Sequence, residues 1–129
     1  MANNDTEITR ATCEAEDSLI GSILIASTDG YRNVIDEVAQ IITPDHFKQW
    51  NDRQIYIGML ACSEAPHQVN VARQLHSMNL LEDGLISHMS FAISNTPTWL
   101  DYLNYAHAVI YYAGTRLGII THRVKGVIL

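Results

Sequence analysis

The sequence predicts an all-α fold: a small orthogonal helical bundle followed by a long C-terminal helix that forms the first arm of a helical hairpin. Three observations carry this. Apolar residues recur at spacings of three and four along most of the chain, no segment alternates at period two, and a heptad rhythm runs from Trp99 almost to the last residue. The chain has 129 residues, 47% of them apolar, which fits one domain with a sizeable core. Residues 1–12 are read as a flexible polar tail, 13–97 as the bundle, and 98–129 as the long helix.

The first helix presents Ala15, Leu19, Ile20, Ile23 and Leu24 on one face. Glu14, Glu16 and Asp17 are placed at its start, where the helix dipole favours acids, and Asp29-Gly30 breaks it. A second short helix carries Val34, Ile35, Val38 and Ile42. Thr43-Pro44-Asp45 is a helix-start signal, because Thr caps, Pro suits the first helical position and Asp the first turn. Phe47 and Trp50 then pack inward. Asn51 and Gln54 have capping-box spacing for the next helix, which shows Ile55, Met59 and Cys62 on one face and ends at Glu64-Ala65-Pro66.

Asn70 is expected to cap a helix that buries Val71, Leu75 and Met78. Leu80 to Gly84 reads as a turn, Leu85, Ile86, Met89 and Ile93 mark another helix, and Asn95-Thr96-Pro97 ends it. Thr98 and Asp101 form a capping-box-like pair. The apolar residues that follow, Trp99, Leu103, Ala106, Ile110, Ala113, Leu117, Ile120, Val124 and Val127, keep a strict 4-3-4-3 rhythm. Gly114 and Gly118 interrupt its propensity and mark either a bend or a close approach by another helix.

The sequence carries no catalytic or ligand-binding constellation. None of the seven glycines precedes a Lys, so there is no G-x-x-x-x-G-K-[ST] phosphate cradle, and there is no GxGxxG. The six histidines are scattered, without HExxH or zinc spacing to a cysteine, so no metal site and no cofactor are expected. Cys13 and Cys62 cannot make a disulfide framework, and Cys62 on an apolar face reads as an inert thiol. A formal charge of −6 disfavours phosphate backbones, although Arg116, Arg123 and Lys125 gather near the C-terminus. No apolar run approaches a membrane span and no leader pattern is present, so a reduced, cytoplasmic setting is expected, without membrane contact.

Several segments together resemble the N-terminal domain of DnaB-type replicative DNA helicases. They are Glu14 to Leu24 (EAEDSLIGSIL), Val34 to Val38 followed by Ile42-Thr43-Pro44-Asp45-His46-Phe47, Arg53-Gln54-Ile55-Tyr56, Leu80-Leu81-Glu82, Asn95-Thr96-Pro97, and Tyr105-Ala106 with Val109-Ile110 and Arg116. Leu19, Gly21, Pro44, Phe47, Arg53, Ile55, Pro97, Tyr105 and Ala106 are the family-like structural positions. The chain departs from the family where Asp52 stands in place of the usual His, where Pro66 to Asn70 is short, and where Tyr111 to Thr115 carries little charge.

The resemblance implies a non-catalytic collar domain. It pairs with itself in a ring-shaped hexamer and docks a primase or a helicase loader, the ATPase motor lying in a separate C-terminal domain. Self-association is assigned to Ile110, Ala113, Leu117, Ile120 and Val124, with packing inside the same chain as the alternative. Two other readings stay open: a stand-alone helical adaptor or scaffold of phage or mobile-element origin, and a helix-turn-helix DNA-binding protein. The second is disfavoured because Leu85 to Met89 lacks the Arg, Lys, Asn or Gln side chains that read base edges.

Overall fold

The computed structural model describes residues 2–116, and all of their regular structure is helical. α1 (Ala2–Thr28) is followed by α2 (Asn33–Ala39), a 3-10 turn (Pro44–His46), α3 (Trp50–Ala61), α4 (Gln68–Ser77), α5 (Leu85–Ser94) and α6 (Tyr102–Arg116). The α1 helix is the spine: α6, α5, α2 and α3 all pack on it, while α4 closes the far side against α3 and α5. Leu19, Ile20, Ile23 and Leu24 are fully buried and meet Ile55, Tyr56, Leu75, Leu85, Met89, Ala106 and Val109 in one core. None of the helices described is long and apolar enough to cross a membrane.

The local punctuation follows backbone physics. α1 ends in a Schellman motif: Gly30 takes φ +92°, Tyr31 N–H donates to Ala26 C=O at 2.8 Å, and Gly30 N–H donates to Ser27 C=O at 3.2 Å. α4 ends the same way with Asn79 at φ 60°, Leu80 N–H reaching Leu75 C=O and Asn79 N–H reaching His76 C=O. Thr43-Pro44-Asp45 starts a helix as expected, but a single 3-10 turn, in which the Thr43 N–H donates to His46 Nδ1 at 2.8 Å. Phe47 then turns inward onto Tyr56, whose hydroxyl donates to Ile42 C=O at 2.8 Å.

Several boundaries differ from expectation. The segment read as a polar tail is helical from Ala2, and Thr12 is buried with its hydroxyl on Ile8 C=O. Glu16 and Asp17 therefore lie in the middle of α1, away from its dipole end. Gln49, not Asn51, is the N-cap of α3, and Trp50, the first residue of the helix, is 46% exposed rather than inward, whereas Phe47 is wholly buried. Cys62 has extended backbone as the C-cap of α3. His67 replaces Asn70 as the cap of α4, its Nδ1 accepting from the Asn70 N–H. Thr98 accepts from Leu100 N–H in the turn before α6, so the helix begins at Tyr102.

The described part of the C-terminal helix does not stand off the bundle. It lies along α1 and buries Ala106, Val109 and Ala113, while Leu103 of the expected seam is 40% exposed. Gly114 is passed in continuous helix, whereas Leu117, Gly118, Ile120, Val124 and Val127 lie outside the described residues.

Candidate functional site

Burial of charge is concentrated where α1, α3 and α5 meet. Glu16 and Asp52 are wholly inaccessible. An isolated buried carboxylate is too costly to retain, so partners must be built in. The Glu16 carboxylate accepts the backbone N–H groups of Lys48 and Gln49 at 2.6 and 2.9 Å, satisfying amides at the entry of α3 that have no helical partner. Burial raises the Glu16 pKa, and these bonds together with the Arg116 guanidinium oppose that rise.

The adjacent network joins all three helices. His88 Nε2 on α5 lies 2.8 Å from Asp52 Oδ1 on α3 and 3.1 Å from Asp17 Oδ1 on α1. The Gln49 amide nitrogen donates to Asp17 Oδ1 at 2.9 Å, to Asp52 Oδ2 at 2.7 Å and to Cys13 C=O at 3.3 Å. Hydrogen bonds to Asp17 and Asp52 raise His88 to about 10, so the imidazole is a cation at neutral pH. Burial pushes Asp52 up to about 8; the bond with His88 opposes the rise and the neighbouring Asp17 carboxylate adds to it. Burial also pushes Asp17 upward, but the bonds from His88, Asp52 and Gln49 outweigh it and hold Asp17 below its ordinary value. The three groups are coupled through these bonds and titrate as a unit.

One carboxylate oxygen from each Asp and Nε2 of His88 lie within 4.8 Å of one another and could supply three donors to a cation. The N–H groups of His88 and Gln49 are directed at those oxygens as a hydrogen-bond network. It serves to clamp three helices. Neither cysteine is activated: burial raises the Cys13 thiol and the Cys62 thiol, away from the reactive thiolate.

A cleft of about 430 Å³ opens beside this clamp, between α1 and α5, lined by Glu14, Asp17, Ser18, Phe91 and Asn95. Phe91 is 52% exposed and its ring lies 5.7 Å from the His88 ring in a stacked arrangement.

The residues singled out from sequence fall into separate places. Leu19, Phe47, Ile55 and Ala106 are core; Pro44 opens the 3-10 turn, and Tyr105 is half-buried against the core. Arg53 donates from its guanidinium to Phe47 C=O at 2.8 Å and so fixes the entry to α3. At Gly21 a Cβ would lie 2.3 Å from Thr96 Oγ1 and 2.4 Å from Ala92 O, so α1 and α5 touch through their backbones there. Pro97 is exposed and follows the end of α5. Of the self-association set, Ala113 is 1% exposed within the chain and Ile110 packs half-buried on the core; the other three lie outside the described residues.

Sequence reasoning missed His88, Gln49 and the buried role of Glu16 and Asp52. The one available signal was Asp52 itself, an acid at a position where the resembled family usually has a base.

Among known proteins, the family model described as the DnaB-like helicase N terminal domain matches residues 9–111. No curated protein matches the chain. The crystal structure of the N-terminal domain of DnaB helicase from Mycobacterium tuberculosis superposes with a TM-score of 0.71 at 24% identity, covering 88% of this chain and 79% of that one. At that identity the likeness is one of fold.

Proposed function

Because the chain belongs to the DnaB-like helicase N-terminal domain family, we propose that it acts in DNA replication by assembly and docking rather than by catalysis. The observation that carries this reading is the family match across the helical bundle, on a chain whose buried charges clamp helices and whose sequence has no phosphate cradle. A cytoplasmic setting accords with this role.

Assembly would run through the C-terminal helix. Its described turns bury Ala106, Val109 and Ala113 on α1, so the same-chain alternative applies to that stretch. Leu117, Ile120 and Val124 continue the apolar rhythm and are the residues offered to a second copy, with Ile110 at the border. Burying a Leu-sized side chain contributes roughly 1.5–3 kcal/mol, so a few such residues can hold a dimer against the entropy of association. Replacing Leu117→Asp and Ile120→Asp together should lower the mass in light scattering while the helical circular dichroism stays intact. A wild-type chain that is monomeric at high concentration overturns this reading.

Docking of a primase or loader is the second part of the proposal. Calorimetric titration with the helicase-binding domain of the cognate primase tests it, and no heat of binding at high micromolar concentration counts against it.

A further inference from the structure

The cleft between α1 and α5 has a composition that neither the clamp nor the assembly reading uses. One wall is the exposed ring of Phe91. The opposite side carries Glu14 and Asp17, with Ser18 and Asn95 completing the lining. Glu14 is exposed and has no hydrogen bond or ion pair among the described residues. Asp17 accepts both His88 and Gln49 on Oδ1, where the His88 cation already balances its charge, and its Oδ2, without a hydrogen bond among the described residues, is the acceptor it offers to the cleft, so Glu14 is the uncompensated carboxylate there. Asn95 commits its amide nitrogen to Phe91 C=O, leaving its acceptor oxygen.

An aromatic face opposite carboxylates suits one kind of visitor. A planar guanidinium lies flat on an aromatic ring and places N–H donors edge-on to carboxylates, whereas an ammonium is a compact, more strongly hydrated point charge. The domain as a whole is acidic, at −6, which also favours the approach of a cationic partner.

We propose that the α1–α5 cleft bounded by Glu14, Asp17, Phe91 and Asn95 receives an arginine side chain of a partner protein. The guanidinium stacks on Phe91 and donates to Glu14 and Asp17; Ser18 and Asn95 offer further acceptors. His88 acts behind the site as a positioning residue, holding Asp17 from one side and the Phe91 ring from the other. This site lies on a different face element from α6 and does not depend on self-association.

The test is amide-correlation NMR of the 129-residue chain, titrated with Nα-acetyl-arginine N-methylamide as the mimic of a protein-borne arginine. A single contact of this kind saturates in the millimolar range. Saturable shifts should be confined to Glu14, Asp17, Ser18, Phe91 and Asn95. The citrulline analogue, which keeps the shape and loses the charge, should produce none, and the lysine analogue should bind more weakly. Phe91→Ala and Glu14→Gln are surface changes that keep the fold, and each should weaken the arginine shifts by about threefold or more, a loss of the size of one exposed cation–π or charged contact.

Absent shifts, shifts spread equally over Asp36, Glu64 and Glu82, or shifts unchanged in both variants overturn the proposal. If free arginine binds and the capped form does not, the site takes a small molecule and the protein-partner assignment fails. If Phe91→Ala lowers the mass of the chain in light scattering, the occupant is a second copy, and the assignment to a different protein fails.

Discussion

His88 on α5 approaches Asp52 on α3 to 2.8 Å, with Asp17 of α1 at 3.1 Å on the same imidazole nitrogen. Three helices far apart in sequence are thereby tied at one atom. The side chain of Asp52 is wholly buried, while those of His88 and Asp17 are 15% and 16% exposed, so the tie is screened by solvent only from the Asp17 side.

Removing the imidazole should be costly. His88→Ala leaves two carboxylates facing each other with only Gln49 as donor. A loss of about 2–3 kcal/mol is expected, somewhat under the figure for breaking a fully buried pair, since His88 retains slight exposure. The midpoint and slope of urea unfolding measure it. A change below about 0.5 kcal/mol, the scale of a neutral surface substitution, would show the clamp to be inert.

The clamp also sets the sign of the pH dependence. His88 rises from 6.5 unfolded to about 10 folded, and Asp52 from 3.8 to about 8. In both cases the native state binds the proton more tightly, so their contribution is full at low pH and is lost as pH rises through the folded values. Asp17 has the opposite sign and loses its contribution only as pH falls below its ordinary value of 3.8. The thermal midpoint should therefore fall steadily from pH 6.5 towards pH 10. Asp52→Asn should flatten the part below pH 8. A midpoint that climbs over this range contradicts the assignment.

Gly21 is a packing requirement. Gly21→Ala puts a Cβ within 2.4 Å of a backbone oxygen of α5, which cannot rotate aside. The helices must separate, at a cost of about 1–3 kcal/mol even though Ala is the better helix former. Chemical denaturation of the variant checks it; an unchanged or increased stability refutes the close approach.

Tyr56 offers a smaller, cleaner measurement. Its hydroxyl is buried and donates to Ile42 C=O, and burial raises its pKa out of reach of ordinary titration. Tyr56→Phe should cost about 1–2 kcal/mol, the net value of the bond plus the carbonyl left without its donor. Thermal unfolding followed by circular dichroism gives the number, and no loss would mean that another donor replaces the hydroxyl.

Local patterns along the chain are enough to specify the all-α class, the identity of most core positions and the stops between helices. Those features are local: apolar spacing of three and four fixes the buried face of α1, and Asp29-Gly30 and Leu80 to Gly84 are turn chemistry that acts within a few residues. The role of each charged residue comes from the packing of the helices around it. Glu16 looked like an acid at a helix start, and only the extension of α1 back to Ala2 puts it mid-helix under the amides of Lys48 and Gln49. The heptad rhythm likewise named a stripe without naming its cover, and α1 takes Ala106 and Ala113 together with the off-rhythm Val109 while Leu103 faces outward. His88 lies 36 residues from Asp52 and 71 from Asp17 along the chain, and no periodicity connects residues so distant. Their meeting depends on three helices packing at once, because a buried charge acquires its role only from the partners that packing brings to it.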